Sequence, residues 1–184
     1  MVEDKAVAEP RLLEWIQEYS RQPVSRCYQC YKCTGGCPVA GSMDLLPHQI
    51  IRYVHLGLEE ELLRSKAIWL CASCHTCQAR CPNGIDVAAV SDALKARILA
   101  RDLPASLPAV AQFHREFLAS IEKNGRVHEL GMMAAYKLKT RDFVRDVPLG
   151  LKMLAKGKFK FLPERLRGRG EIRALFQKAR REQT

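Results

Sequence analysis

No run of apolar residues in this 184-residue chain approaches the ~18 needed to span a bilayer. The longest near the cysteines, residues 67–72, is Ala-Ile-Trp-Leu-Cys-Ala, so no membrane insertion is expected. No basic n-region and apolar h-region open the chain. Secretory export is therefore not expected, and a cytoplasmic location that keeps thiols reduced is. Alternating β-branched residues are missing around the cysteines, which argues against strands there. Also missing are a G-x-S-x-G elbow, a P-loop, a dinucleotide fingerprint and any nucleic-acid motif. The five histidines, at 48, 55, 75, 114 and 128, are scattered, and none is expected to ligate a metal. No nucleophile–base constellation stands out, so the chain offers no substrate chemistry of its own.

Acidic residues are scarce in the last quarter. Residues 1–136 hold 15 Lys+Arg against 15 Asp+Glu, whereas residues 137–184 hold 15 against 5 and so carry the whole net charge of +10. That arm is broken by Pro148, Gly150, Gly157, Pro163, Gly168 and Gly170 into pieces too short for a core of their own. Apolar residues (Phe143, Val144, Leu149, Leu151, Met153, Leu154, Phe159, Phe161, Leu162) are interspersed with its charge. That mixture suits docking to another protein better than a merely solvated surface. Lys158-Phe159-Lys160-Phe161 leaves nucleic acid as a rival occupant.

What is present is cysteine, in an ordered arrangement. Cys27, Cys30, Cys33 and Cys37 are followed by Pro38; Cys71, Cys74, Cys77 and Cys81 are followed by Pro82. The runs superimpose with an offset of 44 residues and use all 8 cysteines. Each reads C-x2-C-x2-C-x3-C-P, the run that holds [4Fe–4S] clusters in bacterial two-cluster ferredoxins. Three thiolates at steps of three wrap one face of a cubane, and the Cys-Pro turn carries the fourth away. In the two-cluster pattern that fourth cysteine ligates the other cluster. The expected cofactors are two [4Fe–4S] clusters with crossed ligands. Cys27, Cys30, Cys33 and Cys81 hold one; Cys71, Cys74, Cys77 and Cys37 hold the other. Structural zinc is the rival, but it needs only paired C-x2-C units and explains neither the third cysteine nor the repeated Cys-Pro.

Around the runs the reading is mainly α. After Pro10, Leu12, Ile16 and Tyr19 recur at helical spacing. Pro47 opens a helix with Ile50, Ile51 and Val54 inward and Gly57 as its C-cap, followed by a short helix over 58–64. Asn83-Gly84 signals a turn, and Asp86 caps a helix that turns Val87, Val90, Leu94 and Ile98 to one face. Residues 102–108 read as a boundary. Beyond it, Val110, Phe113, Phe117 and Ile121 define an amphipathic helix ended by Asn124-Gly125. An apolar stretch follows through Met132, Met133, Tyr136 and Leu138, and a last basic helix over 171–181 buries Ile172, Leu175 and Phe176. Met132-Met133 and Phe113/Phe117 suit core or interface packing. The organisation expected is a helical two-[4Fe–4S] ferredoxin domain over 1–103 and a helical extension over 104–184, with the basic docking arm at 137–184. Gly35-Gly36 is expected to let backbone approach a cluster. Tyr28 and Tyr31 lie in the first run, and His75 and Arg80 in the second. The plain reading is packing for the tyrosines and solvent contact for His75 and Arg80; the functional one is that the positive charge in the second run gives its cluster the higher potential, so that Arg80→Gln lowers it.

With the duplicated motif and the helical insert between its halves, the chain resembles the small iron–sulfur, or C-type, component of heterodisulfide reductase, including bacterial relatives. The tail from Arg141 through Leu154 to Lys156-Gly157-Lys158 is similar to that family's. The resemblance implies an oxidoreductase subunit that relays single electrons within a hetero-oligomer. Its partners would be a flavin-containing A-type subunit and a CCG-motif B-type subunit that reduces the disulfide. This sequence has no Cys-Cys-Gly triplet and no flavin motif, so it matches the relay. No direct small-molecule substrate and no nucleic acid are expected on it. The rivals are the iron–sulfur subunit of a quinone-linked or glycolate-oxidase-like complex, and a nucleic-acid-binding iron–sulfur protein.

Overall fold

The computed structural model describes residues 11–141, 152, 153, 156, 166 and 168–182. Of the apolar residues named above between Phe143 and Leu162 of the basic arm, all but Met153 lie outside the described residues. Every described element is helical, with no strand among the described residues, so the fold is mainly α. Two compact units divide the chain, one running to Leu107 and one from Pro108.

In the first unit, α1 (Arg11–Ser20) buries Leu12 and Ile16. Tyr19 instead stays part-exposed and stacks on Trp15, with ring centroids 5.0 Å apart. A 3₁₀ turn (Val24–Arg26) leads into the first cysteine run. The run contains α2 (Lys32–Gly35). α3 (Pro47–Leu56) buries Ile50, Ile51 and Val54, and Gly57 closes it at φ +68°. That is a left-handed position where glycine avoids the Cβ penalty. α4 (Glu59–Arg64) and α5 (Ala67–Leu70) follow. The second run contains α6 (Thr76–Arg80). α7 (Val87–Ala100) begins at Asp86, whose side chain accepts a hydrogen bond from the Ala88 N–H.

α7 is the central post, packing against α1, α3, α4, α5 and α6. Surrounded on several sides, it buries Ala88, Ser91 and Ala93 besides the expected Val87, Val90, Leu94 and Ile98. Arg97 on α7 clamps the neighbours. Its Nε and Nη2 reach the two Glu59 carboxylate oxygens at 2.6 and 2.8 Å, and its guanidinium lies 4.4 Å from the Trp15 ring centroid.

The second unit holds α8 (Pro108–Asn124), α9 (Glu129–Thr140) and α10 (Arg169–Glu182). The sequence turned Val110, Phe113, Phe117 and Ile121 inward on α8. The structure buries Ala111, Glu116, Ser120 and Asn124 instead, and leaves Phe113 and Phe117 39% and 38% exposed. The reason is that Glu116 and Ser120 on that face find partners. Glu116 accepts from Gln112 at 2.5 Å and Lys139 at 2.6 Å, while Ser120 Oγ accepts the His128 N–H at 2.9 Å. Phe113 and Phe117 stack on one another, and Tyr136 meets Phe113 edge-on. On α10, Ile172 and Phe176 are half-buried but Leu175 is exposed. It is the Arg173 and Arg180 side chains that reach Glu122 on α8.

Candidate metal centre

The 44-residue repeat of the sequence is repeated in the backbone. Gln29 and Tyr31, on either side of Cys30, have φ of +54° and +65°; Ser73 and His75, on either side of Cys74, have +49° and +56°. None is glycine. Left-handed non-glycine residues cost free energy and collect at functional sites. Alternating the hand of successive residues curls the chain so that backbone N–H groups converge, which is how anion-binding nests are made. α2 and α6 each begin straight after the second left-handed residue. Each run then closes with the same bond, Cys37 N–H to Thr34 O and Cys81 N–H to Gln78 O, both 3.1 Å.

All eight cysteines are free thiols. One recess is walled by Cys27, Cys30 and Cys33 together with Cys81, Pro82 and Asn83. The other is walled by Cys71, Cys74 and Cys77 together with Cys37, and by apolar Ile50, Val87 and Ala88. Each thus collects three cysteines from one run and one from the other. Cys30 and Cys74 are exposed and the other six half-buried. Among the described residues no three such side chains converge on a single ion; the thiols line recesses rather than points.

Hydrogen bonds spanning the sequence hold the two runs together. Asn83 Nδ2 donates to the Arg26 carbonyl, and the Asp86 N–H donates to Gln22 Oε1 at 2.9 Å. Asp44, after the first run, accepts from the Lys66 and Ala67 N–H groups at 2.8 and 2.9 Å and from the Ser65 hydroxyl at 2.8 Å. It thereby anchors the helix that leads into Cys71. Partial burial pushes the Asp44 carboxyl up, but these bonds outweigh it and hold it below the usual carboxylate value.

The side chains at the left-handed positions are also engaged. Gln29 Nε2 donates to Cys27 Sγ at 3.4 Å and to the His48 carbonyl at 3.2 Å. The Tyr31 ring lies 4.1 Å from that of His48. His48 Nδ1 is hydrogen-bonded to Thr34 Oγ1 at 2.8 Å, and burial lowers the His48 pKa. His75 Nδ1–H donates to Asp86 Oδ2 at 2.7 Å, so His75 has a carboxylate partner rather than solvent alone. Burial raises the Cys33 and Cys77 thiol pKa values, whereas the Thr76 hydroxyl lowers that of Cys74. Gly36 also departs from expectation. A Cβ there would collide with the Arg80 side chain, so its missing side chain makes room for Arg80 where α2 and α6 pack together. Around Gly35 nothing lies within 4 Å of such a Cβ.

Sequence reasoning reached the cysteines and the Asp86 cap. It missed Gln29, His48 and Asp44, whose roles depend on partners 14–23 residues away. For these three only the polar character of the side chain was visible in the sequence.

Soft thiolates in two groups of four are a donor set for iron–sulfur clusters, and residues 23–85 match the family model described as a 4Fe-4S dicluster domain. The chain therefore contains a dicluster domain, a carrier of two [4Fe–4S] clusters. Beyond that class, it is similar to the C-type iron–sulfur components of heterodisulfide reductases. It is 38% identical over 102 residues to the C-type iron–sulfur component of the CoB–CoM heterodisulfide reductase of Methanopyrus kandleri, covering 55% of this chain and 50% of that one. It is 34% identical over 112 residues to the C-type component of the H2:CoB–CoM heterodisulfide,ferredoxin reductase of Methanothermobacter thermautotrophicus, covering 61% and 57%. The chain spans about half the length of these curated relatives. Among the described residues no helix is long and apolar enough to cross a membrane.

Proposed function

We propose that this chain is the electron-relay subunit of a heterodisulfide reductase-like complex. Cys27, Cys30, Cys33 and Cys81 would hold one [4Fe–4S] cluster, and Cys71, Cys74, Cys77 and Cys37 the other. The observation that carries this is the composition of the two recesses, each walled by three thiols of one run and one of the other. Such clusters, when bound, take up and release electrons one at a time. Ile50, Val87 and Ala88 give the second recess an apolar wall, Gln29 and Thr76 stand beside ligand sulfurs, and Asn83 and Asp86 tie the two runs into one unit.

The partners are those that the likeness to the C-type components of heterodisulfide reductases implies. On that reading the chain takes electrons from a flavin-containing A-type subunit and gives them to a CCG-motif B-type subunit in a hetero-oligomer. The basic arm at 137–184 docks it there, in the cytoplasm. The disulfide substrate binds on the partner.

Three measurements test this. Anaerobic purification from the native host should co-elute the chain with a flavoprotein and a CCG-motif subunit; a lone chain without redox partners sinks the relay reading. The holo-protein should contain about eight iron and about eight acid-labile sulfide per chain. Crossed ligation requires Cys81→Ala to damage the cluster held by Cys27, Cys30 and Cys33. Damage confined to the Cys71/Cys74/Cys77 cluster rules the crossing out.

A further inference from the structure

We propose that Asp86 sets the order of the two cluster potentials, making the cluster of the Cys71/Cys74/Cys77/Cys37 recess the harder one to reduce. The inference rests on the ligand reading above and adds a direction to it.

The duplication supplies an internal control. At the position 44 residues before Asp86 stands Ser42, which is uncharged. The side-chain groups beside sulfur otherwise balance: the Gln29 amide donates to Cys27 Sγ in one recess, and in the other the Cys74 thiol donates to the Thr76 hydroxyl at 3.4 Å, a hydroxyl that can donate in turn once the sulfur has lost its proton. Asp86 breaks the balance. Its Oδ1 lies 3.6 Å from Cys77 Sγ, with the thiol as donor. Among the described residues no other carboxylate is in hydrogen-bond contact with a cysteine of either run. A cluster-bound Cys77 has no proton to give, so the contact becomes one between two negative groups. An electron added to that cluster is then repelled by a fixed charge that water hardly screens, because the Asp86 side chain is only 7% exposed.

Two groups oppose that charge. His75 faces the far oxygen, Oδ2, but its side chain is 59% exposed and its field is screened by solvent. The α7 N-terminus offers the Ala88 N–H to Oδ1 at 2.9 Å, and its partial positive charge remains when the carboxylate is replaced. Removing only the negative charge must therefore ease reduction. Arg80 does not restore the order expected from the sequence, since its side chain packs over Gly36 at the junction of the runs and lines neither recess.

The test is potentiometric EPR titration of the anaerobic holo-protein. Asp86→Asn keeps an oxygen for the Ala88 N–H and removes the charge. It should raise the lower of the two midpoint potentials, increasing the reduced-to-oxidised ratio of that cluster about tenfold at fixed poise, or about 59 mV for one electron. The higher potential should move less. An unchanged value, a fall, or a shift confined to the higher potential overturns the proposal. Should Asp86→Asn fail to load, Asp86→Ser provides a second neutral helix cap and must shift the same potential upward. Iron content separates the two failures. Wild type with well under eight iron defeats the cluster reading itself, whereas full loading without the shift defeats only the role of Asp86.

Discussion

At the scale of single residues, Gly36 and Arg80 form a lock between the halves of the duplication. The glycine caps the end of α2 at φ −103° and ψ −6°, a right-handed conformation open to any residue, so alanine meets no conformational obstacle there. It meets the Arg80 side chain instead. The lock is a soft one: Arg80 is exposed and the atoms in the way are the far end of its flexible side chain, which can swing aside, so Gly36→Ala should destabilise the holo-protein by no more than about 0.5 kcal/mol. The same change in an Arg80→Ala background should cost close to nothing. Anaerobic denaturant melts of the four proteins give the coupling directly, and equal costs in both backgrounds would show that Arg80 is not what the glycine accommodates. The lock was illegible in the sequence because Gly36 reads as a cluster-facing glycine until its neighbour is seen. The left-handed residues were illegible for the opposite reason. Gln, Tyr, Ser and His all carry a Cβ that disfavours that conformation, and only the curl of the loops shows why it is held there.

Among the elements, the clamp on Arg97 joins three helices at one point: Trp15 on α1, Glu59 on α4 and Arg97 itself on α7. The Arg97 and Glu59 side chains are only 11% and 14% exposed, so removing either leaves a poorly solvated partner. Arg97→Ala should cost about 3 kcal/mol in anaerobic denaturant melts. Arg101 also reaches Glu59 but is half exposed, and its alanine variant should cost less than about 1 kcal/mol. Equal effects from both would mean the clamp adds nothing beyond a surface ion pair. Helices long enough to show a period, α1, α3 and α7, could be read from apolar spacing, Pro47, Gly57 and Asp86. The four- and five-residue helices α2, α5 and α6 could not, since one turn is too short for a period to register. The face of α8 was misread because large apolar side chains outweighed Glu116 and Ser120 in the pattern. In the fold those two find partners on α9 and in the turn before it.

Across the whole molecule, every cysteine lies in the first unit, between residues 27 and 81, and none lies after Pro108. Cluster binding is folding free energy where the site is not preformed in the unfolded chain. Stripping the iron should therefore abolish hydrogen-exchange protection over residues 23–85 and weaken it in α7. α8 and α9, which pack on each other through Glu116–Lys139 and the His128–Ser120 bond, should keep theirs. Equal loss in both units would mean that the second depends on the metal after all.

The shared walls of the two recesses also fix a timetable for biogenesis. A ribosome making this chain delivers Cys27, Cys30 and Cys33 early, yet their recess lacks its fourth thiol until residue 81 has emerged, 54 residues after the first. The other recess is complete at Cys77. Scaffold proteins that hand over preassembled cubanes would meet a nascent chain able to accept neither cargo fully until Cys77 has emerged, and the site begun first would be finished last.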